Sequence, residues 1–235
     1  MLTQPAYRED LETGDGTLAD RVYRHLAERL IAGRFAPGDR FSLRAVAEAL
    51  GVSMMPVREA VLKLGAEGAL AVSPKRAVAV PYMNAARFRD LTKVRVEVEG
   101  FAASLAATLA APAQREDIRR AQADFRAMSL EAAPDLSRSV ELNQALHFAI
   151  YRAAGSPELL AIIERLWLRV GPIINLDLRE NPERLKLGDA VRFHAQALAA
   201  IEAGDAHGAR EAIASDIGNA ASFILSRGRL PDNDQ

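Results

Sequence analysis

Apolar positions recur at helical spacing along most of this chain, in two groups that part company near residue 82. In the first group Leu18, Val22, Leu26 and Leu30 share one stripe of a helix over 17–32. Thr17 is placed to cap it and Gly33 to stop it. "APGD" makes a turn, and Ser42 is placed to cap a short helix over 43–50. Gly51-Val52 turns the chain, and Ser53 is placed to cap a third helix over 54–67, closed by Gly68. "LAVSPKRAVAVPYM" then alternates alanine and valine about Ser-Pro-Lys-Arg, the pattern of a small β-hairpin with a basic tip.

Beyond residue 83 nearly everything has helical period and alanine is abundant. Helices are expected at 84–110, 113–130, 135–153, 157–178, 185–203 and 206–227, punctuated by "APA", "AAPD", "GSPE", "NPE" and "AGD". Six such helices pack most naturally as a bundle. The expected fold is mostly α: three helices plus a small β-hairpin as a winged helix-turn-helix over 17–83, then an all-α bundle of six to seven helices over 84–229. Residues 1–16 and 230–235 read as polar tails.

Charge sharpens this division. The 235 residues carry a net charge of −1. Residues 17–83 hold ten basic against six acidic side chains, whereas residues 84–235 are acidic by two and residues 1–16 by three. A basic first unit points to a polyanion partner for that part alone. Cysteine is absent, which excludes disulfides, thiolate metal sites and a Cys nucleophile and fits a reducing, cytoplasmic setting. The polar start "MLTQPAYREDLETGDG" has no apolar core of a signal peptide, and no run approaches a membrane span.

Two short helices joined by a tight turn and followed by a basic hairpin form a winged helix-turn-helix, whose second helix enters the major groove by its N-terminal end. Here that end reads Ser53-Met54-Met55-Pro56-Val57-Arg58. Proline is tolerated in a first turn, where its missing N–H would be unpaired anyway. Ser53, Met54, Met55 and Arg58 are the candidate groove contacts, and Arg44, Lys75 and Arg76 extend the basic footprint over phosphate. The stretch "FSLRAVAEALGVSMMPVREAVLKLGAEGALAVSPKRAVAV" resembles the DNA-binding head of GntR-type bacterial transcription regulators, through its LGVS turn, Pro-Val-Arg-Glu-Ala helix and closing Glu-Gly-Ala-Leu. The resemblance implies DNA contacts from Arg44, Arg58 and the wing near Lys75-Arg76. It departs from that family at Met54, where many members have arginine. A methionine can touch a thymine methyl but cannot fork onto guanine, so operator preference should differ.

The remainder resembles the all-helical FadR-like, or FCD, effector domain, through "LTKVRVEVEGFAASLAA", "NQALHFAIYRAAGSPELL" and "FHAQALAAIEAGDAHGAREAI". That family commonly holds a metal on one Asp and three His, the first two ligands four residues apart on one helix face. The matching positions are Asn143, His147, His194 and Asp216. Asn thus stands for the usual carboxylate and Asp for one imidazole. The harder donor set is expected to weaken Zn²⁺ binding and to favour Mn²⁺-like ions relatively, with Zn, Ni or Mn as candidates. The resemblance also puts Arg95 near an effector, where its fork suits a carboxylate, although Glu99 at i+4 is an alternative partner. His25 and His207 read as ordinary surface or packing residues, and Trp167 as core or interface.

The expected function is a ligand-responsive transcription regulator, binding a palindromic double-stranded operator as a homodimer, repressing a metabolic operon and responding to a small carboxylic acid bound in the bundle, with either release or tightening of the DNA complex open. The alternative is a metal-dependent enzyme in the bundle. It lacks Glu-x-x-His, His-Glu-x-x-His and a phosphate-cradling glycine loop.

Overall fold

The computed structural model describes residues 15–72, 77–180, 188–228 and 230–231. Nine α-helices and three short strands lie among them: α1 (Leu18–Ile31), β1 (Arg40–Ser42), α2 (Leu43–Leu50), α3 (Met54–Ala66), β2 (Ala71–Val72), β3 (Ala77–Ala79), α4 (Ala85–Leu109), α5 (Pro112–Ser129), α6 (Leu136–Ala153), α7 (Pro157–Glu180), α8 (Asp189–Ala203) and α9 (Ala206–Ser226). They fall into two compact units that meet in sequence between Tyr82 and Met83.

In the first unit, Thr17 and Asp20 close α1 with a reciprocal capping box. The Thr17 Oγ1 accepts from the Asp20 N–H at 3.1 Å, and an Asp20 oxygen accepts from the Thr17 N–H at 3.2 Å. The Asp20 carboxyl is thereby held below its ordinary range, chiefly by bonding to Thr17. Val22, Leu26 and Leu30 of the expected stripe are buried. They share a core with Val46, Leu50, Val57, Val61, Leu64 and Val78. Ser42 caps α2, its Oγ accepting from the Ala45 N–H at 3.1 Å, and Gly51 ends that helix in the left-handed region at φ 66°. The hairpin expected from sequence becomes a three-stranded antiparallel sheet of order β1-β3-β2, with Phe41 opposite Val78 and Val72 opposite Val78 on the other side. The third strand was not anticipated. Arg40–Ser42 is too short to show alternation, and only pairing with β3 makes it a strand.

The second unit is a bundle of six described helices. Side chains cap several of the starts: Asn84 accepts from the Arg87 N–H at 2.8 Å, Asp135 from Ser137 and Arg138, and Asp205 from Gly208. Before α5 no capping side chain exists at Ala111. Pro112 opens that helix instead, and Gln114 reaches back to the Ala111 N–H at 2.9 Å. The alanines explain how closely the helices approach. Ala102, Ala103, Ala106 and Ala107 of α4 are wholly buried, and α4 packs most extensively on α9. At Gly100 a methyl group would lie 3.1 Å from the Arg210 side chain of α9. Larger residues — Ile118, Phe125, Leu146, Ile150, Tyr151, Ile163, Trp167 and Ile213 — fill the interior. No described helix is long and apolar enough to cross a membrane.

Candidate functional site

The N-terminal end of α3 is set by sequence on both faces. Val57, Ala60, Val61 and Leu64 point into the first unit's core. Positions 54, 55 and 58 therefore turn outward: Met54 is 43% exposed, Met55 is 60% exposed, and Arg58 is exposed as well. Arg58 has no ion-pair partner among the described residues. Ser53 departs from expectation. Its backbone has the extended geometry of an N-cap, at φ −72° and ψ 163°, but its side chain makes no cap hydrogen bond. The reason is local. A cap oxygen accepts from the second or third helical N–H, and the third helical residue here is Pro56, which has none, so only the Met55 N–H is left to it.

Arg44, on the first turn of α2, is exposed and ion-paired with Glu48, Nε to Oε1 at 2.8 Å, a contact that raises its basicity. Such an exposed pair holds the side chain only weakly. Lys75 and Arg76, expected on the tip of the wing, lie outside the described residues.

A second constellation is buried in the helical unit. His147 on α6, His194 on α8 and Asp216 on α9 are brought together from three helices, with one ligand atom of each within 4.8 Å of the others. The Asp216 Oδ2 lies 3.2 Å from His147 Nε2 and 3.5 Å from His194 Nε2. Burial would push the Asp216 carboxyl up, but the two imidazoles, His194 foremost, outweigh it and hold it well below the usual carboxylate range. Asn143, one turn before His147, is only part-buried and lines the same cavity, together with Arg95, Phe125, Trp167, Asp216 and Ile217. The cavity holds about 30 Å³.

Arg95 does not project freely into this space. Its Nε donates to Glu99 Oε1 at 2.6 Å and its Nη2 to Oε2 at 3.2 Å, with Arg95 4% exposed and Glu99 fully buried. The i+4 pairing offered by the sequence is thus realised, but in the core rather than on a helix surface. Burial works against the guanidinium charge, and Glu99 more than restores it. Glu99 also accepts from Tyr151 Oη at 2.5 Å and from Trp167 Nε1 at 3.0 Å. The Tyr151 Oη in turn lies 2.8 Å from His147 Nδ1. Burial, reinforced by the Glu99 carboxylate, pushes the Tyr151 hydroxyl well above its ordinary range. Glu99 and Tyr151 were not singled out as site members from sequence. The spacings Arg95-x-x-x-Glu99 and His147-x-x-x-Tyr151 place each pair on one helix face, and that is the signal that could have found them. Trp167 is core, as expected, although its indole N–H serves this network. His25 is buried and His207 exposed.

The donor set suits a divalent cation. Two imidazole nitrogens and one carboxylate oxygen converge from separate helices, and His147 has its second nitrogen held by a hydrogen-bonding neighbour, as metal-binding histidines almost always do. A His147 ring protonated on Nε2 would donate to the Asp216 carboxylate across 3.2 Å, whereas a ring protonated on Nδ1 alone would set an Nε2 lone pair against it, an arrangement that needs positive charge between them.

Comparison with known proteins places these features in a family. Residues 18–80 match the family described as bacterial regulatory proteins, gntR family, and residues 90–219 match the FCD domain. The chain is 30% identical over 198 residues to the HTH-type transcriptional regulator McbR of Escherichia coli (strain K12), covering 84% of this chain and 88% of that one. The solved structure of E. coli McbR/YncC superposes with a TM-score of 0.81 at 27% identity, over 92% of this chain and 100% of that one. The HTH-type transcriptional repressor GlaR of the same organism is 26% identical over 147 residues, spanning 62% of this chain and 67% of GlaR.

Proposed function

Because the chain belongs to the gntR family of bacterial regulatory proteins and carries an FCD domain, it is a DNA-binding transcription regulator, and we propose that it represses a metabolic operon and responds to a small carboxylic acid. Its relatives are regulators and not enzymes, which removes the enzyme alternative. The observation that carries the DNA reading is the outward face of α3. Exposed Met54, Met55 and Arg58 stand beside a Ser53 hydroxyl that the helix does not use. Arg58 would fork onto phosphate or a guanine edge, Met54 and Met55 would lie against thymine methyls, and Ser53 would bond phosphate. Arg44, together with Lys75 and Arg76 of the wing, would add phosphate contacts. Two copies in the cytoplasm, related by a two-fold axis, would read two half-sites of a palindrome.

In the bundle, His147, His194 and Asp216 would hold a divalent cation, with Asn143 as a weak further ligand or an orienting group. Zn, Ni and Mn are the candidates, and the oxygen-rich set relaxes the preference for zinc. When bound, the cation supplies positive charge for a carboxylate ligand. Arg95 gives two donor positions to Glu99, and its Nη1 is the group that would meet such an acid. A cavity of about 30 Å³ is large enough for an ion and a water but not for a multi-carbon acid. The acid therefore selects a bundle conformation with a wider cavity, and that differential affinity is what could shift the heads.

The test is a titration of the purified full-length chain against its own upstream region by fluorescence anisotropy at several salt concentrations. Binding to a palindrome should weaken steeply with salt, with a slope of roughly −0.9 per phosphate neutralised. A flat salt response would overturn the reading.

A further inference from the structure

We propose that Tyr151, locked by Glu99, is a positioning residue that fixes the proton of His147 on Nδ1 and so keeps Nε2 directed, lone pair outward, at the cation site. The inference rests on the reading of His147, His194 and Asp216 as cation ligands, and it follows from counting protons along one buried chain of contacts. The Arg95 guanidinium and the Trp167 indole can only donate, and between them they address both oxygens of Glu99. Glu99 is therefore an acceptor on both sides. Tyr151, 2.5 Å from Oε2, must give Glu99 its single proton.

The Tyr151 oxygen then has only lone pairs to offer His147. At 2.8 Å from that oxygen, Nδ1 must donate. A neutral ring with its proton on Nδ1 has a bare Nε2, the atom that lies 3.2 Å from Asp216 Oδ2. Each group in this chain is buried. Arg95 and Trp167 hold Glu99, Glu99 turns Tyr151, and Tyr151 sets His147. An arginine expected to serve the ligand thus serves the ligand-binding histidine as well, through two intermediaries.

Tyr151→Phe removes the relay oxygen and keeps the ring that packs beside Phe148. We expect the full-length variant to bind Zn²⁺ about 10- to 100-fold more weakly than wild type, measured by competition with a chromophoric chelator. Nitrogen-15 spectra of histidine-labelled, metal-free wild type should show His147 carrying its proton on Nδ1, and the variant should lose that preference. Glu99→Gln supplies a second variant. Its carbonyl oxygen, kept on the side of the Arg95 Nη2 and Trp167 donors, is a weaker acceptor than a carboxylate, so the tyrosine proton is less firmly committed to it and the Nδ1 preference of His147 should weaken. Packing alone would shift the melting temperature without moving the tautomer. Unchanged Zn²⁺ affinity in Tyr151→Phe, or a wild-type His147 protonated on Nε2 alone, overturns the inference. If wild type takes up no Zn²⁺, Ni²⁺ or Mn²⁺, it is the cation reading that fails, and the metal-free spectrum still decides the Tyr151 relay by itself.

Discussion

Pro56 occupies the third helical position after Ser53 and so removes one of the two N–H groups from which the Ser53 hydroxyl could accept. The proline presets the helical turn at low cost, because that N–H would have had no intrahelical carbonyl. The serine keeps the backbone geometry of a cap but not its bond. Its hydroxyl stays available at the end of the helix offered to DNA.

Ser53→Ala should therefore cost less stability than an ordinary N-cap loss of about 1 kcal/mol. Urea denaturation of wild type and variant measures this directly. DNA binding should weaken at the same time, because a phosphate donor is lost. A full capping penalty would show that the hydroxyl serves the helix after all.

Arg58→Ala should weaken operator binding by about 1–3 kcal/mol if the guanidinium reads a base, and specificity should relax at that position. If it meets only phosphate, binding should weaken about equally on all sequences and the salt slope should drop by about 1. Anisotropy titrations on operator and scrambled duplexes separate the two outcomes. The side chain is exposed, so fold stability should stay within about 0.5 kcal/mol.

Arg95→Ala should destabilise the protein by about 3–5 kcal/mol, because it leaves the Glu99 carboxylate buried without its cation. Replacing both residues with methionine should cost less than the sum of the two single changes, since no buried charge remains, although Tyr151 and Trp167 lose their acceptor. Chemical denaturation of the single and double variants would reveal this non-additivity. A double loss equal to that sum would mean that the pair contributes no more than packing.

Added divalent cation should raise the melting temperature of chelator-treated protein, in proportion to the logarithm of its concentration once the site is filled. His194→Ala and Asp216→Ala should abolish that rise, because each removes one of three converging donors. Asn143→Ala should reduce it only slightly, as befits a weak amide ligand. A rise that survives in Asp216→Ala would place the ion elsewhere.

Much of the architecture could be read from local pattern. Thr17, Ser42, Asn84 and Pro112 each mark a helix start that the fold uses, and the expected ends of α4, α5, α6 and α9 lie within a residue of those observed. These signals are legible because caps and apolar spacing act over three to five residues. Ser53 stands at the expected N-cap position and lacks only the side-chain bond, to which the proline three residues on contributes. The three donors of the buried cluster could be named only through family likeness, since 47 residues separate His147 from His194 and no local period joins them.

What the sequence by itself determined is the set of helices, the outward face of α3 and the two i+4 pairs, Arg95 with Glu99 and His147 with Tyr151. Tertiary structure alone decided that β1 joins the sheet, that Arg95 and Glu99 pair inside the core, and that Tyr151 of one helix completes the environment of Glu99 on another. Helical period fixes which side chains share a face, but not which face another helix will cover. Burial, and with it the strength and direction of every hydrogen bond around His147, comes from that second choice.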